Sequence, residues 1–134
     1  MLSMPNKFQE YFYFAFRVLV GLFFLQHGGQ KLFGWFGGLG GNPVELVSLM
    51  GLAGIIEFFG GLAILLGIFT RLAALISAAE MIVALFMAHF QQGYVLIKNG
   101  GEPAALFFAS FLVLLAYGAG RWNLGKMLFK KEIL

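Results

Sequence analysis

Cysteine is absent from the chain, which rules out a disulfide, a thiolate metal site, a thiol redox couple and a covalently attached c-type haem. Aspartate is absent too, and charged residues make up only 11% of the 134 positions, where a soluble domain carries about 25%. Proline is scarce, with three in all, so long helices run without an internal breaker. In place of charge the chain is 60% hydrophobic and 17% aromatic, with a mean hydropathy of +0.88. Such a chain belongs in a bilayer. Its net charge of +3 does not point to a nucleic-acid partner, because the basic residues flank apolar runs instead of forming one patch.

Four apolar segments approach the roughly 20 residues a spanning helix needs: 11–33, 46–69, 71–91 and 103–120. The first is long, holds Arg17, Gln26, His27 and Lys31, and lacks a clean small-x-small cleavage pattern, so it reads as a retained helix and not a signal peptide. The stretch from Gly34 to Pro43 is too rich in glycine to continue it. A tight link at Gly67–Arg71 predicts an antiparallel hairpin, with Gly67 closing one helix and Thr70 capping the next. Pro103 suits the first turn of the last helix.

Lys7, Arg71, Arg121, Lys126, Lys130 and Lys131 fall on one side of these spans, and Lys31 and Lys98 on the other. The positive-inside rule then places both termini in the cytoplasm. The expected fold is all-α: one polytopic domain over 1–134, an antiparallel four-helix transmembrane bundle, with a basic amphipathic tail at 121–134. Small residues such as Ala105 and Ala109 on the last span would suit a homo-oligomer or packing within the bundle.

Three ionisable residues sit where a membrane helix should have none: Arg17, Glu57 and Glu80. Each costs roughly 2.5–3.5 kcal/mol at the centre of a span when ionised, so such groups face the bundle interior and pair with one another. At 100° per residue, Arg17, Gly21, Phe24, Gly28 and Lys31 share one stripe of the first helix. Glu57 shares a face with Gly54 and Gly61, beside Gly60, and Glu80 with Ser77 and Ala84. The expectation is that Arg17 snorkels to one glutamate and that the second carboxylate is left over for a ligand or a proton path. His27, Lys31 and His89 then extend a polar lining toward the outer end, with Gly21, Gly28, Gly60 and Gly61 serving helix packing. Glu57 and Glu80 are the catalytic candidates, and Arg17, His27, Lys31, Glu57, Glu80 and His89 the ligand-binding ones. The spacing of His27 and His89 favours neither haem nor metal ligation, so no metal is expected. Phe107, Phe108 and Phe111 read most simply as packing or lipid-facing residues, although a flat apolar ligand such as a quinone would use the same aromatics.

The segment Gln26-His27-Gly28-Gly29-Gln30-Lys31-Leu32-Phe33-Gly34-Trp35, with Arg17 and Gly21 upstream, resembles the first-helix signature of the DoxX family. The run from Ile56 through Glu57, Gly60 and Gly61 to Arg71 resembles its second signature, and the ending around Lys98–Glu102 and Gly118–Trp122 is similar as well. The resemblance implies a small four-helix inner-membrane protein of bacteria or archaea. It also implies an association with quinone-linked oxidases, since the family is named for such a subunit and its members are commonly labelled oxidoreductases. The family assigns no chemical role to any single position.

Two functions fit the sequence. One is a redox-linked component that binds a quinone, uses Glu57 or Glu80 for protons, and depends on a redox partner protein for electrons. The other is a non-enzymatic binder or carrier of a small molecule or lipid, or a membrane scaffold for a partner enzyme.

Overall fold

The computed structural model describes residues 7–131 and 134. Six α-helices follow in order: α1 (Lys7–Phe33), α2 (Leu49–Leu66), α3 (Thr70–Ala84), α4 (Leu96–Asn99), α5 (Glu102–Tyr117) and α6 (Leu124–Phe129). Helix α3 runs on through a π-helical turn at Leu85–His89 and a 3₁₀ turn at Phe90–Gln92. Among the described residues, three helices are long and apolar enough to cross a bilayer: Lys7–Phe33, Leu49–Leu66 and Thr70–Gln92. At 16 residues, α5 is about 24 Å long, short of the roughly 30 Å hydrocarbon core. Of the expected tail, α6 is its helical part, and residues 132 and 133 lie outside the described residues, as do residues 1–6.

Glycine sets the contact between α1 and α2. A Cβ on Gly21 would overlap the backbone of Leu65, one on Gly61 that of Leu25, and one on Gly28 that of Phe58. A side chain on Gly54 would meet Leu32. These contacts define an antiparallel register in which paired residue numbers fall by one on α2 as they rise by one on α1. Gly60 looks elsewhere: its nearest neighbour is the Ser77 hydroxyl of α3, 2.9 Å from where a Cβ would sit.

The turn from α2 to α3 is closed by Gly67 at φ 73°, whose N–H reaches Ile64 O at 3.1 Å while Ile68 N–H reaches Ala63 O at 2.9 Å. This paired closure needs a left-handed residue, which glycine supplies without steric cost. Thr70 does not cap α3 as its sequence position suggests. Phe69, at φ 50°, holds the cap position, and the buried Thr70 hydroxyl makes no hydrogen bond. The cap found instead is Ser48, whose Oγ accepts from Gly51 N–H at 3.0 Å to start α2.

Helix α3 packs on α5, with Ala73, Ala74, Ala78 and Met81 joining Phe111 and Leu114 in a buried cluster that also takes in Val20, Phe24 and Ile64. The end of α5 is finished by a cation from α3. Arg71 donates to Leu115 O at 3.1 Å and to Ala116 O at 3.3 Å, two carbonyls that have no partner within the last turn.

Candidate functional site

Arg17 does not meet either glutamate. It is 2% exposed, and its guanidinium donates to Ala119 O, to Trp122 O at 2.7 Å and to Leu65 O at 3.4 Å. The helix register explains the correction. Glu57 on α2 lies level with Gly29 on α1, since Gly28 faces Phe58. Arg17 is twelve residues earlier, or about 18 Å along the axis at 1.5 Å per residue. No snorkelling arginine spans that. Arg17 is instead held by backbone oxygens beyond α5 and near the end of α2, where helix dipoles and unpaired carbonyls favour a cation.

Lys31 takes the expected place of Arg17. Its Nζ lies 2.6 Å from Glu57 Oε2, and the two side chains are only 12% and 7% exposed. At that length the contact is a charge-assisted hydrogen bond. Lys31 comes from the last turn of α1 and Glu57 from the middle of α2. Glu80, from the middle of the α3 run, interacts with both Glu57 and Lys31. Both Glu80 carboxyl oxygens are buried, and the neighbouring Glu57 carboxyl is the group within hydrogen-bonding reach of them. Two carboxylates are acceptors only, so they share a hydrogen bond with each other only when a proton lies between them. The cluster therefore holds one ammonium against two carboxyl groups and is completed either by a proton shared between the carboxyls or by a donor from outside.

That unfinished cluster faces a cavity of about 910 Å³. Its walls come from α1, α2, α3 and the start of α5, and they are overwhelmingly apolar. Leu52 on one side and Leu75, Val83 and Met87 on the other remain about half exposed, so the space opens sideways between α2 and α3. His27 stands edge-on to Phe107 at 5.5 Å between ring centres, and both line the cavity. His89 lines it as well, although a plain α-helix would turn it away from Glu80. The π-helical turn at Leu85–His89 takes more residues per turn than an α-helix, and this underwinding brings it round.

Of the six ligand-binding candidates, Lys31, Glu57, Glu80, His27 and His89 line this cavity, and Arg17 lies outside it. Phe107, read from sequence as a packing or lipid-facing residue that a flat ligand could also use, lines the cavity. Asn99 was not singled out at all. It is buried, donates to Gly93 O at 2.8 Å and accepts from Gly101 N–H at 2.8 Å, while its own carbonyl lies 3.1 Å from His89 Nδ1. The available signal was the sequence Asn99-Gly100-Gly101, where an Asn before two glycines commonly organises a turn through its side chain. Among the described residues, no group of three or more His, Cys, Asp or Glu side chains is placed to hold a metal ion.

The DoxX family model matches residues 12–90, which include most of α1, all of α2 and most of the α3 run. An uncharacterized protein of Haemophilus influenzae is 36% identical over 94% of this chain and 97% of its own length. Inner membrane protein YqjF of Escherichia coli is 30% identical, covering 86% of this chain and 90% of the relative. An uncharacterized membrane protein of Mycobacterium tuberculosis is 28% identical over 86% of this chain and 80% of the relative. No solved structure matches the chain. With more than half of its length under the family model and a full-length relative above 30% identity, the chain belongs to the DoxX family and is a multi-pass protein of the bacterial inner membrane.

Proposed function

We propose that the cavity between α2 and α3 binds a flat apolar molecule with a hydrogen-bonding head, of the quinol and quinone class, and that Lys31, Glu57 and Glu80 receive that head. The observation that carries this reading is the buried Glu80 carboxyl, which meets no protein group but the Glu57 carboxyl and its lysine, on the wall of an apolar cavity. A buried acceptor without a partner costs about 1–3 kcal/mol, and a ligand hydroxyl removes that cost. A quinol supplies two such hydroxyls on an apolar ring. A quinone carbonyl would accept instead, and Lys31 is the donor within the cluster. Phe107, edge-on His27 and Phe24 provide aromatic walls for the ring.

Oxidising a bound quinol releases two protons and two electrons. Glu57 and Glu80 are the groups placed to accept protons, and the electrons require an acceptor on a partner protein. We further propose that α5 completes a four-helix transmembrane domain with α1, α2 and α3, and that both termini face the cytoplasm. The packing of α5 on α3 and the collection of cations at the chain-termini end support this. The lateral opening favours a second reading, in which the occupant is a lipid-derived molecule that enters from the bilayer without redox chemistry.

Purification in mild detergent followed by organic extraction and mass spectrometry separates these readings. The quinone reading expects a bound quinone or quinol in the wild-type extract that is depleted in Glu80→Leu. Retention of only glycerolipids, equal in both proteins, would overturn it.

A further inference from the structure

A second cavity, of about 420 Å³, lies at the opposite end of the molecule, where the first half of α1, the end of α2 and the α5–α6 connection meet. Arg17 lines it, together with Arg121 and Lys126 from the connection and α6. Among the described residues, Glu10 pairs with this set, 2.9 Å from Arg121. Among the described residues, three cations thus line or border this cavity with one paired acid. Arg17 itself is buried; its terminal nitrogens donate to backbone carbonyls, and its Nε has no partner. Carbonyl dipoles orient a guanidinium but do not neutralise its charge, and in a low-dielectric setting that charge attracts an anion strongly. The remaining walls are apolar: Phe14, Val18, Leu66 and Met127. Phe14, Leu66 and Met127 stay 39–78% exposed.

We propose that this cavity is a headgroup site for an anionic phospholipid of the leaflet that holds the chain ends. Lys126 and Arg121 meet the phosphate at the mouth, Arg17 supplies positive potential from beneath, and the apolar walls take the first carbons of an acyl chain. A soluble phosphate compound would satisfy the cations but leave those walls uncovered, which is why the lipid is the occupant. Basic pockets between membrane helices recognise anionic headgroups in this way. The site shares no residue with the cavity at Glu80.

Trp122 lines the cavity and reports on it. In a Trp35→Phe background it is the remaining tryptophan, so brominated lipids that occupy the site quench a single fluorophore. The expected result is stronger quenching by brominated phosphatidylglycerol than by brominated phosphatidylcholine in mixed micelles. Lys126→Gln should reduce that preference about fivefold, Lys126→Arg should retain it, and Lys98→Gln at the far end should leave it unchanged. Equal quenching by the two lipids would overturn the proposal, as would an equal loss in Lys98→Gln, which would reveal only a response to net charge. Abolition of quenching by millimolar glycerol 1-phosphate would assign the site to a soluble phosphate and overturn the lipid as occupant.

Discussion

Removing the Lys31 charge alone should destabilise the protein about as much as removing both members of its pair. In Lys31→Met the apolar stem is kept and the ammonium is lost, leaving Glu57 inside the helix pair with Glu80 as its neighbour. Breaking a buried pair from one side costs about 3–5 kcal/mol, because a carboxylate is left without compensation. Lys31 is 12% exposed and lies in the last turn of α1, so some relaxation toward the interface is open to the site and the lower value, about 3 kcal/mol, applies. Glu57→Gln keeps an acceptor for Lys31, and the freed ammonium can reach toward the nearby helix end, so its cost is about 2 kcal/mol. The double variant leaves no unpaired charge from this pair and should cost about 3 kcal/mol, not the additive 5, giving a coupling of about 2 kcal/mol.

The assay is equilibrium unfolding in mixed micelles of dodecylmaltoside and sodium dodecyl sulfate, followed by the helical signal, for the wild type, both single variants and the double variant. A coupling below about 0.5 kcal/mol would refute the reasoning, since that is the scatter expected for independent sites. The same cycle run with Arg17→Met in place of Lys31→Met should show no coupling to Glu57, because Arg17 is bound to carbonyls at the other end of the helix pair.

Gly28→Ala should destabilise by about 1–3 kcal/mol or more, because its Cβ would strike the Phe58 backbone and force α1 from α2, whereas Gly60→Ala crowds the Ser77 hydroxyl and touches the Phe24 ring at ordinary contact distance and should cost less; unfolding midpoints in mixed micelles rank the two. Arg17→Met should cost about 1–3 kcal/mol for each buried carbonyl it leaves bare and should loosen the α5–α6 connection, seen as faster tryptic cleavage at Arg121. Ala53→Trp, which fills the large cavity, should abolish ligand retention in the extract while leaving the unfolding midpoint within a few degrees of the wild type, and a ligand yield equal to wild type would place the ligand elsewhere.

Much of the frame was legible because a bilayer enforces it. Helix existence followed from run length and hydropathy, and Gly67 announced the hairpin because a left-handed closure there requires a residue without Cβ. Boundaries drifted where local chemistry decides: Ser48 starts α2 later than its apolar run begins, and Phe69 displaces Thr70 from the cap. The ionic partners were misread for a different reason. Helical periodicity gives the face on which a side chain lies, not its height against a neighbouring helix. Arg17 and Lys31 share a stripe, so periodicity alone cannot choose between them, and hydropathy offers only a coarse depth.

The information that does choose was nevertheless present. Gly21 and Gly28 are seven apart on α1, and Gly54 and Gly61 are seven apart on α2. Two such pairs on antiparallel helices interleave when the glycines of one face larger residues of the other, which is what Gly21 with Leu65, Leu25 with Gly61, Gly28 with Phe58 and Leu32 with Gly54 do. That register puts Lys31 within reach of Glu57 and Arg17 level with the hairpin. The glycine stripe therefore determines the electrostatics. By fixing the height of α1 against α2 it separates one cation from the carboxylates and delivers the other to them, and the protein ends with two charged centres at different depths: a lysine facing two glutamates, and an arginine among carbonyls near two further cations.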